Sequence, residues 1–469
     1  MQVVEYAVQW LTDNESALSA VAAILVIAGI SYGALRYVLT PVLQRSAKDK
    51  AKLEHDDEPD KVVALHNKNF SIAVLLFDAL SSNEEDEYIA AGITSEVIAH
   101  VTMVPDIRVS SRLSSYQMSK GKADIQRVAE QLNTRFVLTG SLRHKDDRIR
   151  VIAQLSDMHS NAEIWAQTYD RKIEDLFEVQ QDIAKCIVGA VLGEVKLAET
   201  IFAGALPVQK LDAWGLVQKA YHFWLTNFTP EGILKADSYL RQAIKIDPEY
   251  ASARAALAML LAQQMTTRIC ADYEACVQEA SELIETAYQQ APNDIDVLEN
   301  AGVVWQNIGE SRRAELALRR VVQMAPLNLI ARGYLALLLA FTGSDADVAE
   351  AEQIILENFA TAPKHPSAPY WNFFMAVVQQ RYGNQEEVIA LTKKSLIQQP
   401  GWVHNYFLMA NAHCELGDES AAIIAIENAA TINPLLTAQL YAENVYKIVG
   451  GPENAAAFID GLKEYQLIS

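Results

Sequence analysis

Uncharged, mostly apolar positions run without a break from Ser16 to Leu35, reading SALSAVAAILVIAGISYGAL. At about 1.5 Å per residue such a run makes roughly 30 Å of helix, the thickness of a bilayer core. Residues 16–43 therefore read as a transmembrane helix after a short segment, 1–15, and the charged stretch 44–69, with its acidic run His55 to Asp60, as a solvated tether. From Phe70 the texture changes. Ser71 to Phe77 is a buried-strand run, Glu84 to Val104 has helical spacing, Ile107 to Ser110 is a short strand, and Asp124 to Leu132 a helix. Arg135 to His144 and Arg148 to Ser156 alternate around Lys145-Asp146-Asp147 as a hairpin. Trp165 to Tyr169 follows as a strand and Ile173 to Leu197 as a long amphipathic helix, so 70–197 reads as an α/β layer domain.

The remainder, 210–469, is helical throughout and punctuated by Gly309/Pro326, Gly343/Pro363, Gly383/Pro400 and Gly417/Pro434, with Pro248 and Pro292 upstream. Steps of 17 residues, stretched to 20 after Gly343 and again after Pro363, give a 34-residue period with two three-residue insertions. Residues 295–328 place Leu298, Ala301, Gly302, Trp305, Ala314, Leu318, Val321 and Pro326 as residues 403–436 place Tyr406, Met409, Ala410, His413, Ala422, Ile426, Ala429 and Pro434. Small residues let two antiparallel helices approach, glycine ends the first helix, and proline cannot continue the second. Each pair leaves an apolar face that only stacking covers.

That period and its residues resemble tetratricopeptide repeats. The middle domain resembles the TolB-like N-terminal domain that accompanies such repeats in many bacterial regulatory proteins. The resemblance is carried by Glu87-Tyr-x-x-x-Gly92, Thr139-Gly-Ser141, and Trp165 with Tyr169-Asp170-Arg171. Two turns depart from the pattern: Val74-Leu-Leu-Phe77 lacks a proline, and Ser160-Asn161 stands where glycine is expected. The expected fold class is a membrane-anchored multidomain protein: one transmembrane helix, an α/β TolB-like domain, and an all-α tetratricopeptide superhelix. The resemblance implies a sensory or scaffolding role.

A net charge of −20, from 39 basic and 59 acidic residues, argues against a nucleic-acid partner. Around the apolar run the N-terminal side carries Glu5, Asp13 and Glu15, and the other side Arg36, Arg45, Lys48, Lys50 and Lys52. This asymmetry predicts a retained helix in a bacterial inner membrane with the bulk of the chain in the cytoplasm, the periplasm being the alternative. Gly29 and Gly33 form a GxxxG that would allow a homodimer through that helix. Cys270 and Cys276 fit neither a zinc nor a redox motif; an oxidising compartment would allow them a local disulfide.

No Walker A loop, GxGxxG, GxSxG or HExxH is present, and the nine histidines lack metal-ligand spacing. The sequence therefore predicts no catalysis, cofactor or metal. The resemblance implies a concave groove lined by the first helix of each hairpin: Asp296, Glu299, Val303, Gln306 and Asn307; Tyr370, Phe373, Val377, Gln380 and Arg381; His404, Phe407, Asn411, Cys414 and Glu415. Aromatics mixed with amides and carboxylates suit an extended peptide or a partner helix. Phe373 and Phe407 would equally serve to fill gaps between hairpins. The expected function is a membrane-tethered scaffold for another protein, with a small-molecule receptor working through the TolB-like domain as the alternative.

Overall fold

The computed structural model describes residues 71–442, apart from 82–83, 105–106, 112–124, 174, 209–210, 227–229 and 271, together with a few positions beyond 442. The segment 16–43, its Gly29 and Gly33, and the tether 44–69 lie outside the described residues. Among the described residues no helix is long and apolar enough to cross a membrane. The expected fold class is corrected on that finding to an α/β domain joined to a helical superhelix. The longest described helix illustrates the physical reason: it carries Glu178, Asp182, Lys185, Glu194, Lys196 and Glu199, charges that a bilayer core rejects.

The α/β part begins with β1 (Ser71–Val74) and β2 (Asp78–Ala79), then α1 (Glu84–Thr102), β3 (Arg108–Val109) and α2 (Ile125–Leu132). It continues with β4 (Phe136–Lys145), β5 (Arg148–Asp157) and β6 (Ala162–Lys172), and closes with α3 (Leu176–Ala205). The sheet order is β3-β1-β4-β5-β6, with β2 also on β4; β1 lies parallel to β3 and β4, and β4, β5 and β6 form an antiparallel meander. The strand expected over 71–77 breaks after Val74, where Phe77 turns inward and its N–H bonds Thr94 Oγ1 at 3.1 Å. A Cβ on Gly140 would sit 2.5 Å from the Phe77 ring, which explains a glycine in the middle of β4. At the hairpin tip Asp146 adopts φ +56°, and Asn161 takes φ +50° between β5 and β6; both side chains tolerate the left-handed region.

The α3 helix is the element that organises the rest. Asp175 caps it, accepting from the N–H groups of Phe177 and Glu178, and no proline interrupts its sequence until Pro207. Its N-terminal half packs Ile183, Ala184 and Ile187 into the sheet core beside α1. It runs past Leu197, where the periodicity suggested a stop, so the expected 70–197 boundary falls inside a helix. One buried ion cluster fixes it to the sheet. Arg135, before β4, bonds Asp157 at the end of β5 through Nε (2.8 Å) and Nη2 (3.0 Å), and Glu199 of α3 through Nη1 (2.7 Å).

Twelve further helices form six antiparallel hairpins among the described residues. They are α4 (Ala213–Thr226) with α5 (Pro230–Ile246), α6 (Ala251–Thr266) with α7 (Tyr273–Gln290), and α8 (Ile295–Asn307) with α9 (Ser311–Met324). The others are α10 (Leu329–Thr342) with α11 (Asp345–Thr361), α12 (Ala368–Arg381) with α13 (Gln385–Gln398), and α14 (His404–Glu415) with α15 (Glu419–Ile432). This is a tetratricopeptide-like superhelix. A Cβ at Gly302 would meet Leu318 Cγ at 2.5 Å, so the small residue is what lets α8 and α9 close. Gly309, Gly383 and Gly417 end their helices at φ +86°, +74° and +75°. Gly343 does not: its φ is −83°, because Ser344 immediately starts α11 with a capping box to Asp347. Cys270 and Cys276 stand as free thiols, Cys270 Sγ donating to Gln264 O at 3.6 Å.

Candidate functional site

The concave face of the superhelix is not an open groove, because the C-terminal half of α3 lies against it. Gly189 and Gly193, one helical turn apart, make the fit: a Cβ at Gly189 would stand 2.8 Å from Thr361 Cγ2, and one at Gly193 would stand 2.3 Å from His365 Nε2. Across the ring, Asn433 Nδ2 donates to Thr267 O at 2.6 Å, which ties the end of α15 to the end of α6, 166 residues away in sequence. Between α3 and this curled wall lies a cavity of about 430 Å³.

Its polar end is built on Lys196 of α3. The ammonium lies 3.7 Å from Asp296 Oδ1 and keeps 40% exposure, because it faces the cavity although protein surrounds it. Burial works against its charge, but Asp296 and Glu299 outweigh that and hold its pKa above the usual lysine value. Glu299 is buried and accepts from Asn328 Nδ2 at 2.7 Å; desolvation raises its carboxyl despite Lys196. Two imidazoles border the cavity uncharged. His365, stacked 4.9 Å from Trp371, is pushed down to about 4 by burial and by Lys196, and His404 is pushed down to about 4 by burial. The apolar end is aromatic: Trp402 meets Tyr370 at 4.7 Å and Phe373 at 4.6 Å between ring centres.

Of the groove residues, Glu299, Val303, Gln306, Asn307, Tyr370, Phe373 and His404 line this cavity, and Asp296 reaches it through Lys196. The others do not join them. Val377 and Cys414 are buried in the core, and Phe407 is buried and stacked on Tyr441 at 4.4 Å, so it fills space between helices. Arg381 donates to Ala340 O (2.9 Å) and Gly343 O (3.2 Å), bracing two hairpins. Glu415 gathers Gln380 Nε2 (2.6 Å), Asn411 Nδ2 (2.9 Å) and Gln385 Nε2. The residues missed from sequence are those of α3, above all Gly193, Lys196 and Thr200. The signal for them was present in the Gly189-Ala-Val-Leu-Gly193 spacing and the unbroken run to Ala205. Among the described residues no group of three or more His, Cys, Asp or Glu could hold a metal ion.

No family model matches the chain, so the likeness of 70–197 to TolB-like domains gains nothing from that comparison. Over 219 residues the chain is 32% identical to a protein of Rhizobium meliloti (strain 1021) named "Putative adenylate cyclase 3"; the match covers 46% of this chain and 36% of that protein. The chain thus spans about a third of this curated relative's length. The expectation that the chain is not an enzyme is corrected by this match, since the relative is named as one. Among solved structures, a tetratricopeptide repeat protein from Parabacteroides merdae is 19% identical, with a TM-score of 0.32, over 54% of this chain and 93% of that one. The hetero-tetramer Cut9-Hcn1 of the APC/C is 13% identical, with a TM-score of 0.39, over 58% and 50%. Pseudomonas aeruginosa pilF is 17% identical, with a TM-score of 0.32, over 49% and 95%. The tetratricopeptide-like assignment rests on the six hairpins themselves.

Proposed function

We propose that the chain is a regulatory interaction scaffold, with its superhelix holding another protein or an extended peptide. The observation that supports this reading is α3 itself. The concave face seats one helix of this chain, through glycines on the guest and Leu329, Thr361 and His365 on the host, in the helix-in-groove mode of recognition, so a partner would be held on the surface of the superhelix that α3 leaves uncovered. In affinity capture with the full chain, a specific protein is expected to be retained; no protein above a bead control removes the scaffold reading.

A second reading is favoured by the 32% identity over 219 residues. In it the chain shares the nucleotide-cyclising role named for its relative, as a catalytic or a regulating part. Incubating the full chain with ATP and Mg²⁺ is then expected to yield cyclic AMP; product no higher than a protein-free blank discards that role for the chain acting alone.

A further inference from the structure

Two of the four thiols lie together where α6 passes into α7, and the backbone there is shaped to bring them together. Arg268 takes φ +56°, in the left-handed region, and Ile269 N–H then bonds Gln264 O at 3.0 Å, which folds the chain back along the end of α6. Asp272 caps α7, accepting from Ala275 N–H at 3.1 Å, while Cys276 N–H bonds Asp272 O at 3.1 Å. Cys276 thus sits at the fourth position of the helix, where a side chain commonly packs on the chain just before the cap. The Cys276 thiol meets the Cys270 sulfur within hydrogen-bonding reach, and both residues are partly exposed. Burial, the Cys270 sulfur, and the nearby Glu279 and Asp237 push the Cys276 thiol up, so it keeps its proton while its neighbour reacts. The other two thiols are arranged differently: Cys186 on α3 and Cys414 on α14 are 4% and 5% exposed. Nor do the paired sulfurs make a metal centre, since structural zinc takes four ligands and, among the described residues, no third His, Cys, Asp or Glu joins them.

We propose that Cys270 and Cys276 form a reversible dithiol/disulfide site, oxidised by a small-molecule disulfide of the glutathione class. The Cys270 thiolate attacks one sulfur of that disulfide, which forms a mixed disulfide and releases one thiol. Cys276 then loses its proton and attacks the Cys270 sulfur, which forms the Cys270–Cys276 bond and releases the second thiol. Two electrons pass from the cysteine pair to the small disulfide, and the two protons that the cysteines lose end on the two released thiols. The inference goes beyond the scaffold reading and holds whether or not a protein partner is captured. Three residues before Cys270, Thr267 O holds Asn433, so the site adjoins the tie between α6 and α15.

The test incubates the full chain with excess oxidised glutathione, quenches with acid, and reads intact mass together with thiol content after denaturation. The parent is expected to lose two of its four thiols and the mass of two hydrogen atoms, to carry no glutathione adduct, and to regain both thiols with dithiothreitol. Cleavage by a glutamyl endopeptidase at Glu274, between the two cysteines, is expected to give fragments that stay joined until reduction. Cys276→Ser is expected to stop at a glutathione adduct on Cys270. Circular dichroism checks that this variant is folded; should it not fold, the Glu274 cleavage of the parent decides alone. Four thiols persisting in the parent, adducts in place of the hydrogen loss, a bridge that involves Cys186 or Cys414, or a folded Cys276→Ser protein left unmodified overturns the proposal.

Discussion

Replacing Arg135 by leucine is expected to lower the unfolding free energy by about 3–5 kcal/mol, the cost of leaving buried charges without their partner. Arg135, Asp157 and Glu199 are each 6% exposed or less, and the guanidinium also lies 4.8 Å over the Phe136 ring and 5.0 Å over the Phe202 ring. Leucine can replace the packing but not the three charged hydrogen bonds, so Asp157 and Glu199 would face each other with no cation between them. Urea unfolding at neutral pH measures the effect, and a loss below about 1 kcal/mol would show that the cluster contributes little beyond its packing. The deficit should shrink as pH falls toward 4, because protonation relieves the Asp157 carboxylate that has lost its cation; Glu199, already pushed up to about 7 beside Arg135, is largely protonated without it.

Glu199→Gln is expected to become more stable relative to the parent as pH rises from 5 to 8, by about 2–3 kcal/mol across that interval. The cause is one guanidinium serving two buried carboxylates. Asp157 takes the bidentate bond and an N–H from His159, and although burial opposes it, Arg135 holds its pKa below the usual value. Glu199 is fully buried, and desolvation pushes it up to about 7 in spite of Arg135. The sign follows from proton binding. Between the unfolded value near 4.5 and the folded value near 7, the native chain holds a proton that the unfolded chain has lost, so raising the pH through this window favours unfolding. His365 and His404 act in the opposite direction between about 4 and 6.5, because the unfolded chain binds their protons more readily. Their contribution is common to parent and variant and cancels in the difference. Chemical denaturation of both proteins at pH 5, 6.5 and 8 gives the comparison; a flat difference would mean that Glu199 is ionised throughout.

The hairpins could be read from the sequence because their punctuation is local. Gly309, Gly383 and Gly417 must end helices in the left-handed region, and proline cannot continue the second helix of a pair, so short-range chemistry repeats visibly. The strands from Phe136 to Lys172 were legible for a similar reason, since alternation shows which face is buried. What was not legible is which surface fills the groove. Tyr370, Phe373 and His404 carry the same residue types as a peptide-binding face, and only the position of α3 turns that face into a wall of a cavity. Gly189 and Gly193 hinted at a close approach but could not name Thr361 and His365 as the neighbours, because that pairing spans well over a hundred residues of chain. Phe407 looked available for binding, and Tyr441, from a region without clear repeat punctuation, covers it.

The course of α3 also changes what counts as a module in this chain. Its first half belongs to the sheet's interior and its second half to the superhelix's interior, and the helix runs continuously from Leu176 to Ala205 through Gly189 and Gly193. The helix therefore cannot be assigned to one part alone: Ile183 and Ala184 fill the sheet's core while Gly193 packs on His365, so cutting the chain inside α3 would strip packing from both interiors.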